Sequence, residues 1–199
     1  MLSSADSKTV AASVARVESR TGIHVVVAVV RKSDDYPELP WKAFALGASI
    51  AALATVLADL RWPQWVTNDT ALIHAAIVLG AAAACALGAV FVPSFARLFL
   101  RATRAHVEVT HHAKALFLDR ELFRTERRHA VLILISRFER RVEILPDIAL
   151  HDRIAEGEWR RVIDAMTPHL REARQTHAVQ AGLDAVERLL VSKGFQGPA

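Results

Sequence analysis

Apolar positions change rhythm several times along this chain. Between residues 5 and 20, Val10, Val14 and Val17 recur at helical spacing, and Gly22 follows as a helix stop. The β-branched run "IHVVVAVV" (23–30) reads as a buried strand, and "RKSDDYPELP" (31–40) as a charged, proline-containing linker. Two long stretches without Asp, Glu, Lys or Arg come next, 43–58 and 70–96. They predict apolar helices over about 42–60 and 71–92, joined by "RWPQWVTNDT" (61–70). About 20 apolar residues cross a bilayer as a helix, which the second run supplies and the first nearly does if flanking residues snorkel. The expectation is a two-helix transmembrane hairpin; the alternative is a pair of buried helices in a soluble bundle.

Pro93 permits a bend after the second run. In "SFARLFLRATR" (94–104), Phe95, Leu98, Phe99 and Ala102 share one helical face, and Arg97, Arg101 and Arg104 share the other. That pattern fits a helix on the membrane surface with a basic side toward headgroups, or a plain extension of the second span. Helix is expected to continue through 106–125.

"VLILISRFERRVEILP" (131–146) sets two short apolar runs around Arg137, Glu139, Arg140 and Arg141. Each run is too short to span as a helix, and the second alternates with period two. A β-hairpin of 130–136 and 141–146 follows, the first strand central and the second nearer an edge. Two amphipathic helices close the chain, one carrying Trp159, Val162, Ile163, Met166 and Leu170, the other Val179, Leu183, Val186 and Leu190. A lone strand is not stable, so strand 23–30 must pair with the later strands across the apolar hairpin. The expected class is α/β, organised as 1–40 (first part of the folded domain), 41–93 (hairpin) and 94–199 (remainder).

Charge supplies orientation. Arg31, Lys32 and Lys42 precede the hairpin and Arg97, Arg101 and Arg104 follow it, while its loop has only Arg61. The positive-inside rule then puts both termini in the cytoplasm, with Trp41, Trp62 and Trp65 at the interfaces. The N-terminus lacks the apolar core of a cleavable signal. Ala and Arg richness suggests a bacterial inner membrane. The formal charge of +4 is explained by this topology and by anionic lipid, so no nucleic-acid partner is expected. The expected partners are the bilayer and another membrane protein. Cys85 is alone and cannot form an intrachain disulfide.

Candidate chemistry is sparse. Asp147 and Asp152 are weak candidates for a hard-cation site, with turn former or helix cap as the plain alternative, and Glu143 reads as a solvated strand residue. His106 and His111 lie five apart in "HVEVTHH" and share no face. No metalloprotease, Walker or nucleophile-elbow pattern occurs. A nucleophile would have to be Ser136 or Thr125, with no base at a recognisable spacing beside either. Arg128, Arg140 and Arg141, taken as one cluster at an end of the hairpin, are candidates to grip a phosphate, lipid head or partner carboxylate, against a solvated turn.

"VESRTGIHVVVAVV" (17–30), "LFLDRELFRTERRHAVLILISRFERRVEILPD" (116–147), "EWRRVIDAMTPHLR" (158–171) and "AVQAGLDAVERLL" (178–190) together resemble the TPM domain family, in its phosphatase-like, membrane-protein form. The resemblance implies a small α/β/α sandwich, here interrupted by the transmembrane hairpin. Some members of that family are credited with acid phosphatase activity and calcium binding; others are accessory factors for membrane complexes. The chain departs from the family's form: it lacks an Asp-x-x-Gly-x-Leu opening and a later Thr-Asp, and "PDIALHD" (146–152) stands where a glycine-rich segment is common. Those gaps leave no cofactor expected, calcium or another divalent cation entering only through the family. The function expected is a non-catalytic accessory or interaction module; the alternative is a divergent metal-assisted phosphatase on the cytoplasmic face.

Overall fold

The computed structural model describes residues 4–62, 67–125 and 127–197. Helix α1 (Ser4–Thr21) leads to strand β1 (His24–Val30). Helices α2 (Glu38–Arg61), α3 (Asn68–Phe91) and the short α4 (Pro93–Ala96) follow, then a 3-10 turn (Arg97–Phe99) and α5 (Ala102–Asp119). A second 3-10 turn (Leu122–Arg124) precedes β2 (Ala130–Ser136) and β3 (Arg141–Pro146). The chain closes with α6 (Ile148–His151), α7 (Glu156–Arg171) and α8 (Gln175–Ser192). These elements form two compact units: one runs to Ser33 and resumes at Val107, the other is Asp34–His106.

In the first unit the sheet order is β1-β2-β3. β1 runs parallel to β2 over seven residue pairs, His24 opposite Ala130 through Val30 opposite Ser136. β2 and β3 are antiparallel, with Ser136 opposite Arg141. The early strand thus rejoins its mates downstream, as an isolated strand must. Parallel neighbours need a crossover, usually a helix packed on the sheet, and α5 is that helix.

Strand alternation sends Val25, Val131, Ile133 and Ile135 to one face, where they meet Val17 of α1, Trp159, Val162 and Met166 of α7, and Leu183, Val186 and Leu190 of α8. Ala130, Leu132 and Leu134 point the other way onto Val109, Ala113 and Phe117 of α5. Helices therefore cover both faces in an α/β/α sandwich, and a strand buried on both faces needs apolar residues at every position. β3 is covered on both sides too. Glu143 is not a solvated strand residue: it is half-buried and accepts a hydrogen bond from Thr110 Oγ1 of α5 at 3.1 Å.

Gly22 ends α1 at φ +68°, where its missing Cβ removes the penalty for left-handed backbone. Gly182 lets α7 and α8 approach: a Cβ there would lie 2.7 Å from Met166 Sδ. Arg16 bridges Asp184 (2.5 Å) and the buried Glu187 (2.8 Å), and Arg20 reaches Glu187 at 2.5 Å, tying α1 to α8. Removing both arginines strands a buried carboxylate, whereas Glu187→Leu removes the charge. Arg16→Ala with Arg20→Ala should therefore cost about 1–3 kcal/mol by denaturant titration, discounted because both arginines are exposed, and Glu187→Leu should stay near the parent.

The second unit is built on α2 and α3, each 24 residues with mean hydropathy of 1.9 and 2.1 over the most apolar window. Both are long and apolar enough to cross a membrane. A seam of small residues (Ala43, Gly47, Ala51, Ala82 and Ala89) is buried between them. A Cβ on Gly47 would meet Cys85 Sγ at 2.8 Å and the Ala81 carbonyl oxygen at 2.9 Å, so glycine is required there. Large outward side chains, among them Leu53, Leu57, Leu72 and Leu79, are exposed, as are Trp41 and Trp62. Trp65 lies outside the described residues.

The stretch after α3 is not one helix. Leu100 takes extended backbone between the 3-10 turn and α5, so Arg97, Arg101 and Arg104 share no single helical face. Arg104 pairs with Asp34 at 3.3 Å and Glu38 at 3.7 Å within this unit. Helix also stops earlier than expected, at Asp119, where Glu121 turns left-handed at φ 50° ahead of the second 3-10 turn.

Candidate functional site

The β2-β3 turn explains itself without glycine. Arg140 takes the left-handed region at φ 52°, a conformation costing roughly 1–2 kcal/mol for a residue with a Cβ. Contacts on both sides hold it there. Arg137 and Phe138 donate their backbone N–H groups to the carbonyls of Val30 and Arg31 at 3.1 and 3.0 Å. The Glu139 side chain folds inward, 8% exposed at the residue level. It accepts the Ser33 N–H at 2.9 Å and the Ser136 hydroxyl. Ser33 and Ser136 hydroxyls lie 3.0 Å apart. The turn is thereby stitched to the segment that leaves β1.

Beside this turn lies a cavity of about 580 Å³. Ile135 and Val142, paired across the hairpin, form an apolar wall with Ile163 and Leu170 of α7. Arg137, Arg140, Arg141 and Arg171 line the same space, with polar contributions from Ser136, Thr167 and Gln175. Among the described residues no carboxylate pairs with the Arg137, Arg140 or Arg171 side chain; Arg141 has interactions of its own. Arg171 closes α7, where a cation suits the negative helix end, and α8 opens at Gln175 without a side-chain cap. Among the described residues, no acidic side chain lines the cavity. Its chemistry suits an anion.

The structure divides the expected arginine cluster. Arg128 precedes β2 and lies at the other end of the strand from Arg140 and Arg141, roughly 20 Å away at the usual rise per residue. It takes φ 55° and pairs with the buried Asp147 at 3.1 Å. Asp147 also caps α6, accepting the Ile148 N–H at 2.7 Å, and its Oδ2 is buried without a hydrogen-bond partner. Asp152 is the exposed C-terminal cap of the same short helix. At this end too, burial pushes the His129 imidazole pKa down, helped by Arg127 and Arg153. Asp147 thus caps α6 through its side chain, Asp152 ends the helix only through its backbone N–H, and neither acid converges with the arginines of the turn.

Of the two candidate nucleophiles, Ser136 has a carboxylate beside it after all, from Glu139 three residues on. Its hydroxyl belongs to a residue only 1% exposed. Thr125 Oγ1 is buried and unpartnered, in the segment before β2. His106 and His111 are exposed on α5. Among the described residues, no three His, Cys, Asp or Glu side chains are grouped so as to hold a metal.

A three-stranded sheet sandwiched this way, with the hairpin from "VLILIS" to "RVEILP" at its centre, agrees with the family comparison: residues 89–189 match the TPM domain. The chain belongs to the TPM domain family. The match begins near the end of α3, so α1 and β1 lie outside it; pairing of β1 with β2 and packing of α1 against α8 return them to the domain. Among solved structures, the chain is similar to the BA42 protein of the psychrophilic bacterium Bizionia argentinensis, with a TM-score of 0.58 and 10% identity over 100% of this chain and 86% of that one. That likeness concerns the fold. No curated protein matches the chain.

Proposed function

We propose that this TPM protein is a membrane-anchored module acting by binding rather than turnover, an accessory factor for another membrane protein or complex. Two spans with both termini cytoplasmic, in a bacterial inner membrane, make up its anchor. The observation that carries the anchoring is the outer surface of α2 and α3: only 17% and 11% of their most apolar windows are buried. Apolar surface on that scale belongs against lipid or protein, not water. The basic residues flanking the pair support the orientation. Binding is favoured because Asp147 is engaged by Arg128 and the α6 amide while the turn arginines sit at the opposite strand end.

Reporter fusions test the anchor. Fusions at either terminus should report cytoplasm and one within 61–70 the opposite side; a terminus reporting the outside overturns it. For the accessory role, capture from native membranes should return the same membrane protein reproducibly.

One observation favours a second reading, a phosphohydrolase: Ser136 and Glu139 are hydrogen-bonded beside arginines. A phosphatase screen with divalent metals decides between them. A blank result is expected; turnover abolished by Asp147→Ala or Ser136→Ala would replace the binding reading.

A further inference from the structure

The cavity's two kinds of lining constrain its occupant together. A bare inorganic anion would satisfy guanidinium groups but leave the half-buried Val142, Ile163 and Leu170 facing water. A neutral apolar molecule would cover those side chains but leave three arginines that have no carboxylate partner among the described residues. Ligand cavities usually span roughly 300–1,000 Å³ and combine an apolar body with a few placed polar groups, and about 580 Å³ falls inside that range.

We propose that this cavity binds an anionic amphiphile: a compact oxyanion bonded directly to an apolar group. The inference rests on the reading that the TPM unit works by binding, and it names the ligand class. Arg137, Arg140 and Arg171 grip the oxyanion, because the planar guanidinium fork matches paired oxygens in a way a lysine does not. The Gln175 amide supplies a neutral hydrogen bond, whereas the Thr167 hydroxyl is donated to the Ile163 carbonyl at 2.8 Å. Ile163 and Leu170, nearly two helical turns apart on one face of α7, take the apolar group together with Ile135 and Val142 across the hairpin. The turn fixes the Arg140 backbone, and so the point from which its side chain reaches the cavity.

Such a head-and-tail anion has two sources, a bilayer lipid with a monoester phosphate and a soluble amphiphile. The full chain in neutral phosphatidylcholine nanodiscs is titrated calorimetrically with phenyl phosphate, inorganic phosphate and phenol. Phenyl phosphate should bind at least tenfold more tightly than either fragment, and more weakly as salt rises. Arg140→Gln and Arg171→Gln should each weaken it about tenfold with an unchanged thermal midpoint. Leu170→Ala should weaken phenyl phosphate and leave inorganic phosphate unaffected. Equal affinity for phenyl and inorganic phosphate, or variants that bind like the parent, overturns the proposal.

Adding phosphatidic acid to the nanodiscs, against an equal fraction of the diester phosphatidylglycerol as surface-charge control, separates the sources. Competition specific to phosphatidic acid assigns the lipid; its absence assigns the soluble ligand. Release of inorganic phosphate from phenyl phosphate would overturn the binding-only reading and leave the cavity assignment standing. No binding by a folded protein would do the reverse.

Discussion

Replacing residues 34–106 by a flexible linker of about twelve residues should move the protein from the membrane fraction into solution and leave one cooperative unfolding transition. The first unit contains the whole sheet and both apolar clusters, so nothing its core requires lies in the excised segment. Val109, Ala113 and Phe117 of α5 remain to cover their face of the sheet. A Gly/Ser linker of that length spans roughly 19 Å on average and can sample more, which gives the parallel crossover room to close. The exposed apolar side chains of α2 and α3 leave with the excision. Ultracentrifugation followed by a circular-dichroism melt reads the outcome. A product that stays insoluble, or melts without a transition, would mean the sandwich depends on the hairpin.

In that soluble unit, Ile133→Ala and Leu132→Ala should each cost about 2–5 kcal/mol. Both side chains are fully buried on the central strand and point in opposite directions, Ile133 toward α1, α7 and α8, Leu132 toward α5. Ile144→Ala on the edge strand β3, where the site is half-buried, should cost less. Domains of this size are usually stable by only about 5–15 kcal/mol, so either central substitution removes a large share. Urea titrations with unchanged slope measure this. A Leu132→Ala variant as stable as the parent would contradict the packed α5 layer and reduce the sandwich to two layers.

The elements that could be read from the chain were those whose signal is local. The hairpin at 130–136 and 141–146 stands where run length and, in its second strand, alternation put it, because each run is too short for a long helix and the charged stretch around Glu139, Arg140 and Arg141 interrupts them. The pairing of β1 with β2 was also legible, through elimination: a single strand has no other way to satisfy its backbone. The reading failed where local pattern competed with tertiary demand. Arg97, Arg101 and Arg104 fall on one face only if a helix runs through Leu100, and the chain instead breaks there. Glu143 looked solvated because nothing in sequence reveals that α5 covers the second face of β3.

The candidate site shows the same division more sharply. Arg140 and Arg141 could be singled out from the charge between two strands, but Arg128 was grouped with them on proximity in sequence. The seven extended residues of β2 carry it to the far end. Arg137, one residue past the first apolar run, carries no sequence mark that separates it from a solvated turn residue, and Arg171 carries no signal at all. It reaches the cavity only because α7 packs so that its last turn lies beside the hairpin turn.

By itself, then, the sequence determined which segments are strands, which are apolar helices, and that the early strand, ending at Val30, must find partners that begin only at Ala130. Those outcomes follow from periodicity, length and the obligation to pair backbone groups, all readable in one dimension. Only the tertiary structure decided which charges meet. A salt bridge or a shared cavity depends on direction along a strand and on which helix face is covered, and residues such as Arg137 and Arg171 become neighbours only when the sandwich closes.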